Sequence, residues 1–431
     1  MHYDLIHPRD QIVMLMQRVY RYGMTTTSGG NMSIRDDNGD LWITPAGVDK
    51  GSLQWEDIVR VQADGTSKGR HRPSSEFPFH RAIYEARPDL GGIVHAHPSS
   101  LVAFSIVRQM PPVQIIPQAQ DVCGRLGYAP YALPGSAQLG RNIAETFKQG
   151  YDCVLMENHG VVCAGADVLR AFQRFETLDF CARLAIRASI LGKYRELTPA
   201  QISLFRHTKN YLPEFEPARR TSEEKALRRH VCEIVHRAYD QQLMTSTEGV
   251  VSVRLAGSTF LITPTGVDRR LLERADIVLV SDCRRERGKL PSRSVLLHDR
   301  IYRDHPRIQA IVSAQAPSAT AFAVCGSRFD TRTIPESYIL LRDVQKIAYG
   351  PQFTDEGVIS DTLSDETPVV LLENDAILTT GTSLLEAFDR LEVAEFSARS
   401  LIDATRLGSL VAMDEASIAE LKAHFLTPKK G

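Results

Sequence analysis

The sequence predicts a mixed α/β protein, built from two tandem copies of one three-layer α/β/α domain. Three observations support this prediction: the length and apolar content, an internal repeat, and the alternation of strand-like and helix-like segments within each copy. The 431 residues are 43% hydrophobic. That is too long for one ordinary domain and apolar enough for two cores of about 200 residues each.

The internal repeat consists of matching blocks that occur in the same order and at nearly constant spacing in both halves of the chain. The blocks pair as follows: SGGNMSIR at 28–35 with TEGVVSVR at 247–254, WITPAGVD at 42–49 with LITPTGVD at 261–268, RPSSEFPFHRAIYEARPDL at 72–90 with LPSRSVLLHDRIYRDHPRI at 290–308, IVHAHPSS at 93–100 with IVSAQAPS at 311–318, and VLMENHGVVCAGAD at 154–167 with VLLENDAILTTGTS at 370–383. We therefore predict two domains, 1–215 and 222–431. The seam between them should lie in the proline-rich, charged stretch 211–225.

Each element of one copy follows from local pattern. Residues 10–23 space apolar side chains at helical intervals. Residues 41–47 and 91–98 are short β-branched runs that end in turn residues, as strands do. Residues 77–88 predict a helix that a proline stops, and residues 168–192 predict a long amphipathic helix. Strands and helices that interleave in this way favour one sheet per copy with helices packed on it.

Charge and cysteine content limit the possible partners and the compartment. Lysine plus arginine number 51 against 52 aspartate plus glutamate, so no global field recruits nucleic acid or an anionic membrane. No run of 18 apolar residues occurs, and the first residues do not form a signal peptide. Seven scattered cysteines without a C-x-x-C pair predict neither disulfides nor a cysteine–zinc site. We expect a soluble cytoplasmic protein that acts on a small molecule.

Two histidines at i and i+2 near a strand end point the same way, so His95 and His97 can bind one cation together. His159, which follows another strand-like run, offers a third imidazole. Three neutral imidazoles leave a zinc-like ion with an open position, as in catalytic sites. The second copy replaces all three histidines together, by Ser313, Gln315 and Asp375. Joint loss indicates one abandoned metal site, since three unrelated structural histidines would not be expected to disappear as a set.

The segment RPSSEF adds a carboxylate and two hydroxyls. Glu76 becomes Ser294 in the second copy, which couples it to the lost histidines. A carboxylate beside a Lewis-acidic metal can move protons near a polarised carbonyl, although a glutamate at a helix N-terminus can also be structural. Ser74 and Ser75 precede a helix whose free N–H groups suit an anion. By contrast His80 is retained as His298, which favours a structural role.

In order along the chain, SGGN, ITPAG, PSSE, HAH and ENHG resemble the motifs of the class II aldolase/adducin family, closely over residues 8–210 and in degenerate form over 225–425. The resemblance implies tandem class II aldolase-like domains, of which the second lacks metal ligands. It also implies that His95, His97, His159 and Glu76 hold Zn²⁺ or another divalent cation such as Mn²⁺ or Co²⁺. Gly30, Asn31, Gly47, Ser74 and Ser75 would line a phosphate pocket, which a carboxylate group could also occupy.

The implied activity is a metal-dependent lyase reaction: reversible aldol cleavage of a phosphorylated ketose or related hydroxy-carbonyl compound, through an enediolate that the metal stabilises. Glu76 would be the acid/base. Decarboxylation, dehydration and epimerisation by the same family remain alternatives, although an epimerase would be expected to carry aspartate at position 76. A non-catalytic adducin-like binding protein is the other alternative, and it would contain no stoichiometric metal.

Sugar-phosphate aldolases of this family take a tyrosine from a neighbouring subunit at the position of Ile116, so the first copy lacks that proton donor. The second copy carries Tyr338 and Glu336 at the matching place, whereas Tyr131 and Tyr211 match with looser register. Members of this family commonly form four-fold rings with each metal site at a subunit boundary, so two copies per chain imply a homodimer that forms a pseudo-tetrameric ring. In such a ring Tyr338 is the candidate catalytic residue supplied across the interface.

Overall fold

The computed structural model describes residues 3–208, 211–217 and 219–426. Two compact units account for the chain: Met1–Val113 with Gln118–Arg183, and Gln114–Pro117 with Leu184–Gly431. The boundary between units differs from the boundary between sequence repeats, because the long helix after the first repeat's last strand continues from one unit into the other. Both units are mixed α/β, as predicted, and each is built on a single sheet with helices.

The first unit contains an eight-stranded sheet in the order β4-β3-β2-β1-β5-β8-β7-β6. Its strands are β1 Asn31–Arg35, β2 Leu41–Ile43, β3 Val59–Val61, β4 Ser67–Lys68, β5 Gly92–Ala96, β6 Leu126–Ala129, β7 Cys153–Met156 and β8 Val161–Gly165. Its helices are α1 Pro8–Arg21, α2 Phe77–Ala86, α3 Ser99–Ile106, α4 Ala119–Cys123, α5 Ala137–Lys148 and α6 Val168–Leu191, which crosses into the second unit. Neighbouring strands are antiparallel except β6 and β7.

The second unit repeats this strand order and adds one edge strand: β15-β16-β17-β14-β10-β11-β12-β13-β9. Its strands are β9 Glu214–Phe215, β10 Val250–Ala256, β11 Thr259–Ile262, β12 Val278–Ser281, β13 Arg284–Glu286, β14 Ala310–Ala314, β15 Val344–Ile347, β16 Val369–Leu372 and β17 Ile377–Gly381. Its helices are α7 Pro199–His207, α8 Ser222–Asp240, α9 Val295–Asp304, α10 Pro317–Val324, α11 Pro335–Leu341, α12 Pro351–Thr354, α13 Glu356–Thr362, α14 Leu384–Leu407 and α15 Glu415–Leu421.

The seam predicted from composition is only partly a linker. Glu214 and Phe215 form β9, which pairs in parallel with β13, and α8 begins at Ser222 behind an N-cap at Thr221 whose side chain accepts from the N–H of Glu224. Proline and charge predicted a break between repeats, but the backbone groups of Glu214 and Phe215 find partners at a sheet edge.

Each sheet buries an apolar face against its own helices. In the first unit Phe79 and Ile83 of α2 pack with Ile143 and Phe147 of α5 over strand residues such as Ile93. In the second unit Val295, Leu297, Ile301 and Tyr302 of α9 pack over β11, β12 and β16. All seven cysteines are free thiols, in agreement with the sequence prediction. Among the described residues no helix is long and apolar enough to cross a membrane.

Candidate metal centre

The end of β5 positions the two histidines of the HAH motif. His95 lies in the strand, fully buried, and pairs across the sheet with Asn31 of β1 and Val162 of β8. Its Nδ1–H donates to the carbonyl of Val161 at 2.9 Å. Because that bond fixes the proton on Nδ1, the lone pair of Nε2 is directed at the cluster, which is how outer-shell partners orient metal-binding histidines.

His95, His97 and His159 form the one group of three or more metal-ligand side chains found within the described residues, with ligand atoms all within 4.8 Å of one another. The Nε2 atoms of His95 and His97 lie 3.0 Å apart. The carboxylate of Glu76 lies 3.2 Å from Nε2 of His95 and 3.7 Å from Nε2 of His159.

These separations fit a divalent ion. Four ligands arranged tetrahedrally about 2.05 Å from zinc are separated from each other by about 3.3 Å. The separations of 3.0, 3.2 and 3.7 Å in the structure lie near that value, and all three imidazole ligand atoms are within 4.8 Å of one another. Three imidazoles and one carboxylate are also the ligand types of catalytic zinc sites, so the residues present suit zinc or a similar cation.

Backbone packing around the centre requires two glycines. A Cβ at Gly160 would lie 2.6 Å from both the carbonyl oxygen of Ala96 and Cδ2 of His97, and a Cβ at Gly30 would lie 2.8 Å from the carbonyl oxygen of His95. Gly30 also has a φ of +71°, which favours glycine. The two glycines therefore let the SGGN and ENHG turns approach the end of β5.

Protonation is matched to metal binding. Burial lowers the pKa of His97 to about 3 and that of His159 to about 4, so both rings are neutral near pH 7. Burial by itself would raise the pKa of Glu76, but His95 and the Asn31 amide outweigh it and hold that pKa well below its usual range. Neutral imidazoles beside an ionised carboxylate are the forms that bind a cation.

Of the predicted phosphate-binding residues, Asn31 has its side chain bonded to Glu76, beside the histidine cluster. Its Nδ2–H donates to Oε2 of Glu76 at 2.7 Å and its Oδ1 bonds to the ring of His80. The side chain of Ser74 is buried and accepts from the N–H of Glu76 at 3.3 Å, whereas Ser75 is exposed. Gly47 is exposed, with a φ of +69°.

Sequence reasoning missed Lys50, which holds the loop that carries Gly47. Its ammonium group is buried and donates to the carbonyls of Pro45 and Val48 at 3.0 and 3.2 Å. A basic residue at the same position of both repeats is the sequence signal that could have identified Lys50. Arg269 stands at the equivalent position and donates to the carbonyls of Gly249 and Val267, both at 2.7 Å.

In the second repeat no three metal-ligand side chains cluster at the equivalent positions within the part of the chain that the structure describes. Glu248 replaces Gly29, where a Cβ in the first repeat would lie 3.0 Å from Nδ1 of His97, so a carboxylate occupies this region. Burial raises the pKa of Glu248 to about 7 and that of Asp375 to about 6. Gln315, at the position of His97, is buried and its Oε1 has no hydrogen-bond partner among the described residues. The loss of ligands inferred from sequence is therefore accompanied by new ionisable groups.

The remaining predicted site residue, Tyr338, lies on α11 of the second unit and is only 8% exposed. Glu336, at the start of the same helix, is exposed. Ile116, at the tyrosine position of the first repeat, is buried at 1% exposure. A catalytic role for Tyr338 would require a second copy of the chain.

Comparison with known proteins bears on the family of the chain. The profile of the family described as "Class II Aldolase and Adducin N-terminal domain" matches residues 10–186 and again 229–402. The 3-oxo-tetronate 4-phosphate decarboxylase of Haemophilus influenzae is 32% identical over 199 residues, 45% of this chain and 93% of the relative. The L-fuculose phosphate aldolase of Methanococcus maripaludis is 32% identical over 175 residues, 40% of this chain and 93% of the relative.

Among solved structures, YgbL from Klebsiella pneumoniae is 29% identical and covers 46% of this chain and 96% of its own, with a TM-score of 0.42. A sugar-phosphate aldolase from Thermotoga maritima is 25% identical and covers 44% of this chain and 97% of its own, with a TM-score of 0.37. The two profile matches span most of the sequence, one on each repeat. The chain therefore belongs to the class II aldolase and adducin family and carries the family's domain twice.

Proposed function

We propose that the first repeat is the catalytic half of the chain, a divalent-metal-dependent carbon–carbon lyase acting on a small phosphorylated hydroxy-carbonyl compound. The observation that carries this proposal is the convergence of three imidazoles and the Glu76 carboxylate at ligand-to-ligand spacing. The family relatives named for aldol cleavage and for decarboxylation support the reaction class. Zinc fits the ligand set, and manganese or cobalt are the other candidates.

A divalent ion at this position would polarise a substrate carbonyl and stabilise negative charge that develops on its oxygen. The chain itself would supply the proton transfers. Glu76 is ionised and lies beside the imidazoles, with Oε2 held by Asn31 at 2.7 Å. We infer that Glu76 first accepts a proton, from the substrate hydroxyl in aldol cleavage or from water in decarboxylation, and then delivers it to the carbon that loses its bond; both transfers run backwards in condensation.

The phosphate group would lie against backbone N–H groups of the glycine turns and the start of α2. Gly30 and Gly47 both have positive φ, and Ser74 and Ser75 precede α2, where N–H groups suit an anion. Since the Asn31 side chain bonds to Glu76 and His80, any contribution of Asn31 to phosphate would come from its backbone or through reorientation. A substrate carboxylate could use the same donors.

Decarboxylation is a second candidate, supported by the 32% identity to the Haemophilus influenzae decarboxylase. A divalent ion next to the ionised Glu76 would serve both reactions. Each reaction generates negative charge next to a carbonyl and ends with protonation of carbon. The leaving fragment distinguishes them: an aldehyde in aldol cleavage and carbon dioxide in decarboxylation.

The proposed function is tested by assaying the purified protein, reloaded with Zn²⁺, Mn²⁺ or Co²⁺, against ketose 1-phosphates and 3-oxo-acid 4-phosphates. We expect about one ion per chain and release of either aldehyde or carbon dioxide from one substrate class, with chelated protein as the control. The dephosphorylated substrate should react with a raised KM. A protein that takes up no metal, or that turns over neither class when loaded, would instead support a binding role.

We also propose a homodimer, and the exposed surfaces of the repeats support it. In the second unit, the N–H of Arg195 donates to the carbonyl of Val324 at 2.8 Å, and Tyr194 pairs with Cys325. The side chain of Asn374 donates to the carbonyls of Ile115 and Arg195, both at 2.8 Å. Val324, Cys325 and Asn374 are consequently buried, at 1%, 2% and 3% exposure.

The equivalent positions in the first repeat are open. Ile106 and Val107 are 57% and 58% exposed and Asn158 is exposed, although Asn158 and Asn374 have nearly the same φ, 53° and 52°. The second repeat's counterparts of Tyr194 and Arg195, namely Leu410 and Val411, are 46% and 84% exposed. A second copy that supplies Leu410 and Val411 to this surface, and receives the same contact in return, would close a two-fold dimer.

This dimer would also bring α11 of the partner toward the turn that carries His159. In the second unit the loop at Ile115 lies against Asn374, next to Asp375. Thr333 is the counterpart of Ile115 and Asp375 is the counterpart of His159. By this equivalence the segment before Tyr338 would contact the ENHG turn of the partner chain. That placement supports Tyr338 as a proton donor supplied in trans, on the condition that its side chain, 8% exposed in the single chain, turns outward in the dimer.

Replacing Val107 with glutamate is expected to convert the dimer into a monomer without lowering the melting temperature, because Val107 is exposed in the single chain and a buried charge at the interface is costly. Light scattering coupled to size exclusion measures the mass. The control is Leu385→Glu, an equally exposed position outside the predicted interface. A wild-type monomer, or a Val107→Glu dimer as stable as wild type, would contradict the proposed interface.

A further inference from the structure

A chain of buried polar side chains connects α2 to the metal centre. The ring of His80 bonds through Nδ1 to Oγ of Ser33 at 2.7 Å and through Nε2 to Oδ1 of Asn31. Asn31 Nδ2 donates to Oε2 of Glu76 at 2.7 Å. Tyr84 completes the other end, with its hydroxyl 2.9 Å from Oγ of Ser33. His80 and Ser33 are fully buried, and Asn31 is 3% exposed.

The chemistry of these groups fixes the direction of the bonds. The Asn31 amide presents Nδ2–H to Oε2 of Glu76, which leaves its Oδ1 facing His80. An amide oxygen only accepts, so His80 must carry its proton on Nε2 and leave Nδ1 to accept from the Ser33 hydroxyl. Neutral His80 therefore donates toward Glu76 through a single amide.

The second repeat separates the part of this network that serves the fold from the part that serves the site. His298 Nδ1 bonds to Oγ of Ser252 at 2.7 Å, and Tyr302 lies 2.7 Å from the same oxygen. Those contacts match the first repeat. However, Val250 replaces Asn31, and Nε2 of His298 is buried without a hydrogen-bond partner among the described residues.

A buried donor without a partner is destabilising, so the second repeat retains His298 for the contacts of Nδ1 and not for those of Nε2. In the first repeat the same nitrogen is paired, and its partner leads to the carboxylate beside the imidazoles. The retained histidine therefore uses Nδ1 in both repeats for a structural contact. It uses Nε2 only in the first repeat, where Glu76 is present.

We propose that His80 is a positioning residue: its Nε2–H fixes the orientation of the Asn31 amide, and Asn31 in turn holds the Glu76 carboxylate in place for proton transfer. This inference rests on the proposed role of Glu76. The sequence predicted a structural role for His80 because the second repeat retains it as His298. That role covers only the contacts of Nδ1 with Ser33 and Tyr84, and the present proposal adds a role for Nε2.

The kinetic test compares His80→Asn with His80→Gln. The shorter asparagine side chain can reach Ser33 but not Asn31, whereas glutamine extends to Asn31 and can donate to it. We expect His80→Asn to lower kcat by about 10- to 100-fold, the usual range for an outer-shell partner, with KM within threefold and the metal retained. His80→Gln should restore at least a third of the decrease in log kcat that His80→Asn causes.

His298→Asn is the matched control, because His298 has the same burial and the same serine and tyrosine partners. It should lower the melting temperature about as much as His80→Asn and leave kcat within twofold of wild type. If His80→Asn does not fold, Asn31→Val, which copies the second repeat, takes its place. It should lower kcat with little change in KM. A kcat within twofold of wild type for the folded variant would overturn the proposal.

A second measurement needs neither metal nor substrate, so it separates this inference from the proposed function. In chelated, ¹⁵N-histidine-labelled protein, the His80 ring, assigned by its absence in a folded His80 variant, should show a protonated Nε2 and an unprotonated Nδ1. Asn31→Val should speed exchange of the Nε2 proton. A ring protonated on Nδ1, or a proton whose exchange is unaffected by Asn31→Val, would overturn the proposed chain even if the enzyme is active.

Discussion

Replacing His97 with alanine is expected to remove the bound divalent ion and to lower turnover by more than about 100-fold. Mutation of an outer-shell partner alone lowers metal affinity or activity by about 10- to 100-fold. His97 is suited to this test because it lies just past the end of β5 and is only partly buried. Its ring can be removed without opening the sheet core, whereas His95 is fully buried. Bound metal per chain and turnover are measured on the same sample.

The matched control is Gln315→Ala, at the equivalent position of the second repeat. It removes a buried side chain next to the end of β14 but, on our reading, no metal ligand. Metal content and turnover should stay at wild-type values. Equal metal loss in both variants would mean that the second repeat also binds an ion. A His97→Ala protein that keeps one ion per chain would mean that the imidazole cluster is not the site.

The clustering of the three histidines was predictable because it rests on their local spacing and on comparison of the two repeats. The i, i+2 spacing of His95 and His97 places both rings at one strand end, and the joint replacement of three histidines in the second repeat adds His159 from 62 residues further along. Both observations come from the sequence alone and do not depend on the fold. The structure brings the three rings together with ligand atoms within 4.8 Å.

The contacts of Asn31 and His80 were not predictable in the same way. Their bonds join β1 to α2 across 45 and 49 positions of sequence, and the direction of a side-chain amide depends on what lies on each side of it in the folded chain. Comparison of the two repeats shows only whether the histidine at position 80 is retained or lost. A histidine has two nitrogens with separate partners, and only the structure shows that one pair is shared by both repeats while the other is not.

The architecture was predictable at the level of repeats but not at the level of compact units. Apolar periodicity and the ordered blocks gave two copies of one sheet. Pattern could not show that α6 continues across the unit boundary, or that Gln114–Pro117 belongs with the second unit. Those assignments depend on long-range contacts such as the bond from Asn374 to the carbonyl of Ile115, which no local window of sequence contains.

Replacing Glu76 with glutamine is expected to lower turnover by about 10²- to 10⁴-fold, the usual contribution of a positioned general acid or base, while most of the metal is retained. Glutamine keeps the shape of the side chain and can still accept a hydrogen bond from Asn31, but it cannot exchange a proton. The three imidazoles remain as ligands. Turnover and metal content on one sample therefore separate lost proton transfer from lost metal.

The control for that variant is Ser294→Gln, at the same helix-capping position of the second repeat, where neither Glu76 nor Ser294 makes a side-chain cap bond. It should leave turnover within twofold of wild type. If Glu76→Gln keeps both its metal and at least a third of wild-type turnover, the proton must move through another group, and Tyr338 of a partner chain becomes the first to test. If metal and turnover are lost together, Glu76 acts chiefly as a ligand, because an isosteric amide beside three intact imidazoles would not otherwise release the ion.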